Sequence, residues 1–172
     1  MNGGDMNIET RVESMATIVE LIKLTLDAGV PYTLPHPKGR SMYPVIITET
    51  DSVVLDKPTD LKKYDAVLYR RKSGAYVLHR IIGIRGDTLT ICGDNQLNAE
   101  KIHRDQVIAK LTAILREENG EVRTIPSDDA PLQKQIKDIY RGHMPIIVYH
   151  RIRHAIAVPV KKILHPGKGA KK

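Results

Sequence analysis

The 172-residue sequence predicts a mainly β domain, with one helix before it and a basic, helical extension after it. Three observations carry that expectation. Six short runs rich in Val, Ile, Leu, Thr and Tyr occupy residues 52–55, 66–69, 75–84, 88–92, 107–115 and 121–125. Clusters of Asp, Gly, Asn and Lys separate them, which is the pattern of antiparallel strands. The charge is also segregated: residues 1–140 carry 19 basic against 20 acidic side chains, whereas residues 141–172 carry eight basic and no acidic ones. The net charge of +7 is therefore a property of the C-terminal end, attached to a nearly neutral body.

Taken in order, residues 8–27 predict an amphipathic helix. Val12, Met15, Val19, Ile22 and Leu26 recur at intervals of three and four, and Gly29 stands where a C-cap is expected. Pro31, Pro35 and Pro37 then exclude helix, and the strand runs follow. Beyond Pro131, LQKQIKDIYRGHM is helix-like, PIIVYHRIRHAIAV interleaves apolar residues with Arg and His, and PGKGAKK reads as a disordered basic end. The expected division is an N-terminal helix over 1–30, a β domain over 31–118, and a hairpin remainder with the basic extension over 119–172.

Composition excludes several function classes. The longest stretch without a formal charge is the ten residues 28–37, far short of the roughly 20 apolar residues a bilayer span needs. The opening MNGGDMNIETRVE has no apolar core behind a basic start, so no secretory signal is expected. Cys92 is the only cysteine, which excludes an internal disulfide and fits a reducing, cytoplasmic setting. Phe and Trp are absent, so stacking platforms for single-stranded nucleic acid are poorly supplied. His150 and His154 stand four apart but have no further ligand nearby, and neither metal nor cofactor is expected.

Three segments carry candidate chemistry. PKGRSMYPVI (37–46) places Ser41 in a proline-bounded turn, where a hydroxyl can be held beside backbone N–H groups; most such serines simply form turns. YVLHRIIG (76–83) sets His79 in an apolar strand, either as a buried structural imidazole or as a neutral general base in a dry site. CGDNQLNAE (92–100) contains a Gly-Asp-Asn turn. If Gly86-Asp87 forms a two-residue hairpin turn, counting outward sets His79 opposite Asp94, where a carboxylate would orient the imidazole. Serine, histidine and a carboxylate are the roles of nucleophile, base and orienting acid.

Together these segments resemble the superfamily of type I signal peptidases and LexA-type self-cleaving repressors, over residues 31–116. KGRSMYPVI resembles the family's Gly-x-Ser-Met-x-Pro nucleophile motif, with Ser41 the implied nucleophile. LKKYDAVLYR resembles its Gly-Asp-Val/Ile-Val strand, with Tyr64 where glycine is usual. His79 stands where bacterial members carry a catalytic lysine, as in the endoplasmic-reticulum and archaeal type, and CGDN resembles the Gly-Asp-Asn motif that follows. The resemblance implies a LexA/signal-peptidase-like antiparallel β fold. It favours Glu100 as the triad acid, whereas the hairpin count favours Asp94, and both stand as candidates. Gly39 replaces the serine that in some signal peptidases supports the oxyanion hole. The Ser41 N–H is then the implied donor, with Arg40 a candidate helper.

The function expected is therefore a serine endopeptidase that cleaves an extended peptide or leader segment. Self-cleavage is an alternative, because Ala28-Gly29 and Cys92-Gly93 match the bonds LexA-type repressors cut. A third is a non-catalytic module whose basic tail, residues 141–172, lies on an anionic membrane surface or, less in keeping with the composition, holds nucleic acid.

Overall fold

The computed structural model describes residues 6–145 and 147, with side chains from residue 15 onward. Helix α1 (Met6–Asp27) precedes eight strands: β1 (Tyr32–Pro35), β2 (Asp51–Asp56), β3 (Ala66–Arg70), β4 (Tyr76–Arg85), β5 (Thr88–Cys92), β6 (Glu100–His103), β7 (Val107–Glu118) and β8 (Glu121–Pro126). A second helix, α2, follows at 130–145. The strand order is β1-β2-β7-β3-β4-β5-β6, every pairing is antiparallel, and the sheet curls into a half-barrel. The fold is the mainly β architecture expected, with a helix at each end.

β7 is the spine of the sheet. One of its edges pairs with β2, while the other is shared between β3, through residues 107–110, and β8, through residues 113–118. The curl buries both faces of the central strands. Ala66 and Leu68 of β3 join one core with Val19, Ile22 and Leu26 of α1 and Leu132, Ile136 and Tyr140 of α2. Val67 and Tyr69 of the same strand point the other way, into a smaller core with Ile81, Leu89, Ile91 and Ile102. Period-two alternation therefore feeds two cores rather than one core and solvent. Each fully buried Ile, Leu or Val stabilises by about 1.5–3 kcal/mol relative to its exposed state.

The C-terminal end of α1 behaves as its sequence indicates. Gly29 adopts φ 79°, the Val30 N–H donates to the Thr25 carbonyl at 3.1 Å, and the Gly29 N–H donates to Leu26 at 2.9 Å. This is a Schellman stop, which needs a left-handed residue that glycine supplies without strain. Two strands were not expected. β1 contains Pro35 and β6 is only four residues, EKIH. Both lie at sheet edges, where a proline or alternating charges do not interrupt a ladder.

The β4–β5 hairpin corrects the register count. Arg85↔Thr88, Ile84↔Leu89 and Gly83↔Thr90 pair as a two-residue turn requires, but Ile81 then pairs with Ile91 and Arg80 with Cys92. The extra residue, Ile82, forms a bulge that displaces everything beyond it by one position. His79 and Asp94 are therefore not directly opposed in the register.

Candidate active site

Ser41 lies in the long loop between β1 and β2. The loop is fastened from beneath by Met42, Val45 and Ile46, all buried in the larger core. Its far end is tied by Asp51, fully buried, which accepts two hydrogen bonds from the Arg116 guanidinium at 2.9 and 2.7 Å and one from the Ile47 N–H at 2.8 Å. Burial alone would raise the Asp51 carboxyl, but these donors and the charge of Arg116 outweigh it and hold it below the usual carboxylate range. Arg116 also donates to the Val45 carbonyl at 3.0 Å. The serine is thus presented by a turn with a packed, ion-paired base.

The Gly93-Asp94-Asn95 turn clasps this loop from the side. The Asn95 N–H donates to the Ser41 carbonyl at 2.8 Å, and the Asn95 amide reaches the Arg40 carbonyl at 3.3 Å. Gly93 is there because nothing larger fits: a Cβ on it would sit 2.6 Å from the Ser41 carbonyl oxygen. Asp94, 1 % exposed, accepts from Arg80 Nε and Nη2, both at 2.7 Å, so its carboxylate is committed to a buried bidentate pair. Arg80 spends another donor on the Tyr64 carbonyl at 2.8 Å. The Tyr140 hydroxyl of α2 lies 2.9 Å from Asp94 Oδ1 and 3.0 Å from the Cys92 carbonyl oxygen. Asp94, a candidate orienting acid by sequence, is bonded to Arg80 and Tyr140 within the turn that clasps the serine loop.

His79 is 3 % exposed and belongs to the opposite face of β4, alongside Tyr69. Its Nδ1 lies 3.4 Å from the Tyr69 hydroxyl and 3.9 Å from Glu100 Oε1. The Tyr69 hydroxyl donates to that same oxygen at 2.5 Å, so its lone pairs face the imidazole and the proton of His79 belongs on Nδ1. Among the described residues Nε2 makes no hydrogen bond. Burial, and after it the Arg71 charge, pull the imidazole down to about 4, against smaller opposing effects from Glu100 and Asp94. The ring is therefore neutral near pH 7.

Glu100 is half-buried and is gripped by Arg71 through Nε, 3.0 Å from each carboxylate oxygen, and through Nη2. Burial pushes its carboxyl up, but the hydrogen bonds from Arg71 and Tyr69 prevail and hold it below its ordinary value. Burial, followed by the Glu100 hydrogen bond, raises the Tyr69 phenol. The chain Arg71–Glu100–Tyr69–His79 is an orienting relay in which a hydroxyl separates carboxylate from imidazole. Of the two candidate acids, Glu100 is the one the structure brings to His79.

Ser41 and His79 line one cleft of about 290 Å³, together with Lys38, Gly39, Leu78 and Gln96. The Ser41 N–H and Oγ have no hydrogen-bond partner among the described residues. Arg40 is not among the cleft-lining residues; its guanidinium covers the Tyr43 ring at 5.9 Å, and Lys38 lines the cleft in its place. Gly39 has φ 102°, a conformation a substitute serine would strain. Tyr64 occupies a left-handed φ of 78°, in the position where the resemblance expects glycine, and its ring packs on Tyr140 at 6.0 Å. Of the self-cleavage bonds, Ala28-Gly29 forms the end of α1, and Cys92 is buried at the end of β5, with its thiol pushed up to about 11, first by burial.

Tyr69, Arg71, Arg80, Asp51, Arg116 and Tyr140 were not singled out by sequence. Tyr69 and Arg71 carry a weak signal, lying at and just beyond the end of β3, the strand that pairs with the His79 segment of β4. The histidines at 150 and 154, and residues 148–172 of the basic tail, lie outside the described residues. No described helix is long and apolar enough to cross a membrane.

Fold and site together define an antiparallel half-barrel that sets a loop serine and a buried, neutral histidine in one cleft. Comparison of the chain with family models, curated proteins and solved structures finds no match.

Proposed function

We propose that the protein is a serine endopeptidase acting through Ser41 and His79. The reading is carried by one observation: the unpartnered Ser41 hydroxyl shares a cleft with a buried histidine that is neutral at physiological pH and has Nε2 unengaged. His79 Nε2 takes the Ser41 proton as Oγ attacks the scissile carbonyl carbon. The Ser41 N–H, free of other partners, donates to the oxyanion. The tetrahedral adduct collapses as Nε2–H protonates the leaving amine, leaving an acyl-serine. A water then gives its proton to Nε2 and its oxygen to the acyl carbon, and Oγ departs with the proton.

Tyr69 and Glu100 serve this scheme as positioning residues, because they hold the Nδ1–H tautomer and offset the imidazolium charge that forms transiently. Arg80, Asp94 and Tyr140 serve it by fixing the Gly93-Asp94-Asn95 turn that clasps the serine loop. The substrate in this reading is an extended peptide that adds a strand beside residues 76–79 of β4, whose second edge lies beyond the end of β5 pairing. The buried, unpaired Cys92 suits a cytoplasmic enzyme, and the basic residues of 141–172 would hold it against an anionic membrane surface.

Comparative N-terminal peptide mapping of cells producing the wild-type chain or Ser41→Ala tests the proposal. New N-termini that appear with the wild type and vanish in the variant are expected. Indistinguishable maps, with both proteins folded and equally abundant, would remove the peptidase reading.

A further inference from the structure

The Ser41–His79 cleft continues past Arg71 and Tyr76. Both residues also line a larger groove of about 1150 Å³, bounded by α1, the 57–59 turn, the β3–β4 connection and the start of β7. Its cations are Lys23, Lys57, Arg70, Arg71 and Lys72, against the carboxylates of Glu20, Asp27 and Asp105. Of the three carboxylates, only Glu20 is matched by a lysine or arginine among the described residues. Glu20 pairs with Lys23 at 2.9 Å, and Asp105 lies 2.9 Å from His103 Nδ1. Arg71 is engaged by Glu100. Among the described residues Lys57, Arg70 and Lys72 make no ion pair, which leaves three cations facing two carboxylates that no lysine or arginine matches, Asp27 and Asp105. Leu26, Pro58, Val107 and Ile108 supply apolar wall between them.

We infer that this groove binds an acidic stretch of the peptide whose neighbouring residues enter the Ser41–His79 cleft, an inference that rests on the peptidase reading. Uncommitted lysines on a partly apolar wall attract carboxylates while leaving room for the aliphatic part of a chain. A phosphate backbone would meet the same cations. However, the groove has a single tyrosine, Tyr76, and the Arg70 guanidinium already lies over one face of its ring at 5.9 Å, so bases find little to stack on. Arg71 joins groove to cleft: a substrate carboxylate beside it offsets the positive charge that weighs on His79.

The test uses full-length protein carrying Ser41→Ala, so that bound peptide is not consumed. Fluorescence anisotropy compares a short labelled glutamate-rich peptide with its glutamine counterpart. The acidic peptide is expected to bind about tenfold more tightly, and adding Lys57→Glu with Lys72→Glu is expected to abolish the preference. Lys57→Gln with Lys72→Gln, a milder change that guards against misfolding, is expected to give a partial loss. The basic residues of 141–172 also attract acidic peptides but are untouched by these variants. A preference that survives both pairs of substitutions therefore belongs to the tail and overturns the inference. Tighter binding of labelled oligothymidine than of the acidic peptide, lost in the same variants, overturns the peptide assignment. Cleavage of the acidic peptide by the protein with Ser41 restored separates the two readings. Binding that depends on Lys57 and Lys72 without Ser41-dependent cleavage upholds the groove and removes only the peptidase.

Discussion

Acidification is the perturbation that most directly probes the buried histidine. In the unfolded chain an imidazole takes its proton near 6.5, whereas the folded environment of His79 delays protonation to about 4. A depressed value means that the unfolded state binds the proton first. The stability this group contributes is whole above pH 6.5, drains as pH falls, and is gone below about 4. The gap of about 2.5 units, at 1.36 kcal/mol each, corresponds to about 3 kcal/mol, and His79 is buried enough for that figure to need no solvent discount. Urea denaturation of wild type and His79→Gln across this window isolates the effect, since every other titrating group is common to both. The difference in unfolding free energy should be flat above pH 6.5 and should shift against the wild type by about 3 kcal/mol by pH 4. The imidazole resonance followed by NMR should titrate near 4, higher in Arg71→Gln and lower in Glu100→Gln, because the first removes a cation and the second an anion beside the ring. Parallel stability curves, or a midpoint above 6, would refute the buried neutral base.

Three further outcomes follow from the same contacts. Asp94→Ala leaves Arg80 buried without its partner and should cost about 3–5 kcal/mol in urea denaturation, whereas Glu100→Gln, at a half-exposed site, should cost under about 1 kcal/mol yet reduce Ser41-dependent cleavage. Gly93→Ala drives a methyl against the Ser41 carbonyl, 2.6 Å away before relaxation; a loss of about 1–3 kcal/mol is expected, with cleavage falling further than stability because the serine loop itself must shift. Tyr140→Phe removes the hydroxyl near Asp94 Oδ1 and the Cys92 carbonyl, for a loss of about 1–3 kcal/mol by thermal or urea unfolding, and an unchanged midpoint would argue that α2 does not support the loop.

The strands and α1 were legible because their patterns are local: three- and four-residue spacing for Val19, Ile22 and Leu26, and turn residues between apolar runs. Ser41 and His79 were legible through motif resemblance, and their shared cleft agrees with that pairing. The edge strands were hidden because Pro35 and the charged EKIH look like loop until a neighbour completes their ladders. The choice between Asp94 and Glu100 was hidden for a subtler reason. It turned on one bulge at Ile82, and no residue type there announces it. Tyr69 was invisible because its role requires β6 to meet β3 across the curl, a contact between residues 31 positions apart.

The two candidate acids differ in what they support, and the sheet explains the division. The serine loop plugs into the larger core through Met42, Val45 and Ile46, and Asp94, Arg80 and Tyr140 brace the Gly93-Asp94-Asn95 turn, whose Asn95 N–H holds the Ser41 carbonyl. His79 projects from the opposite face of β4, where the smaller core and the Tyr69–Glu100 pair fix it. Ser41, the proposed nucleophile, is left unbonded at Oγ among the described residues, while the buried Arg80–Asp94 pair steadies the turn that holds its carbonyl. For His79, the proposed base, a full carboxylate in direct contact would favour the imidazolium. Placing the Tyr69 hydroxyl between Glu100 and the ring orients Nδ1 while the carboxylate stays farther off, at 3.9 Å and largely matched by Arg71. The low proton affinity of His79 is thus a consequence first of burial and then of Arg71, with the opposing pull of Glu100 kept smaller than either.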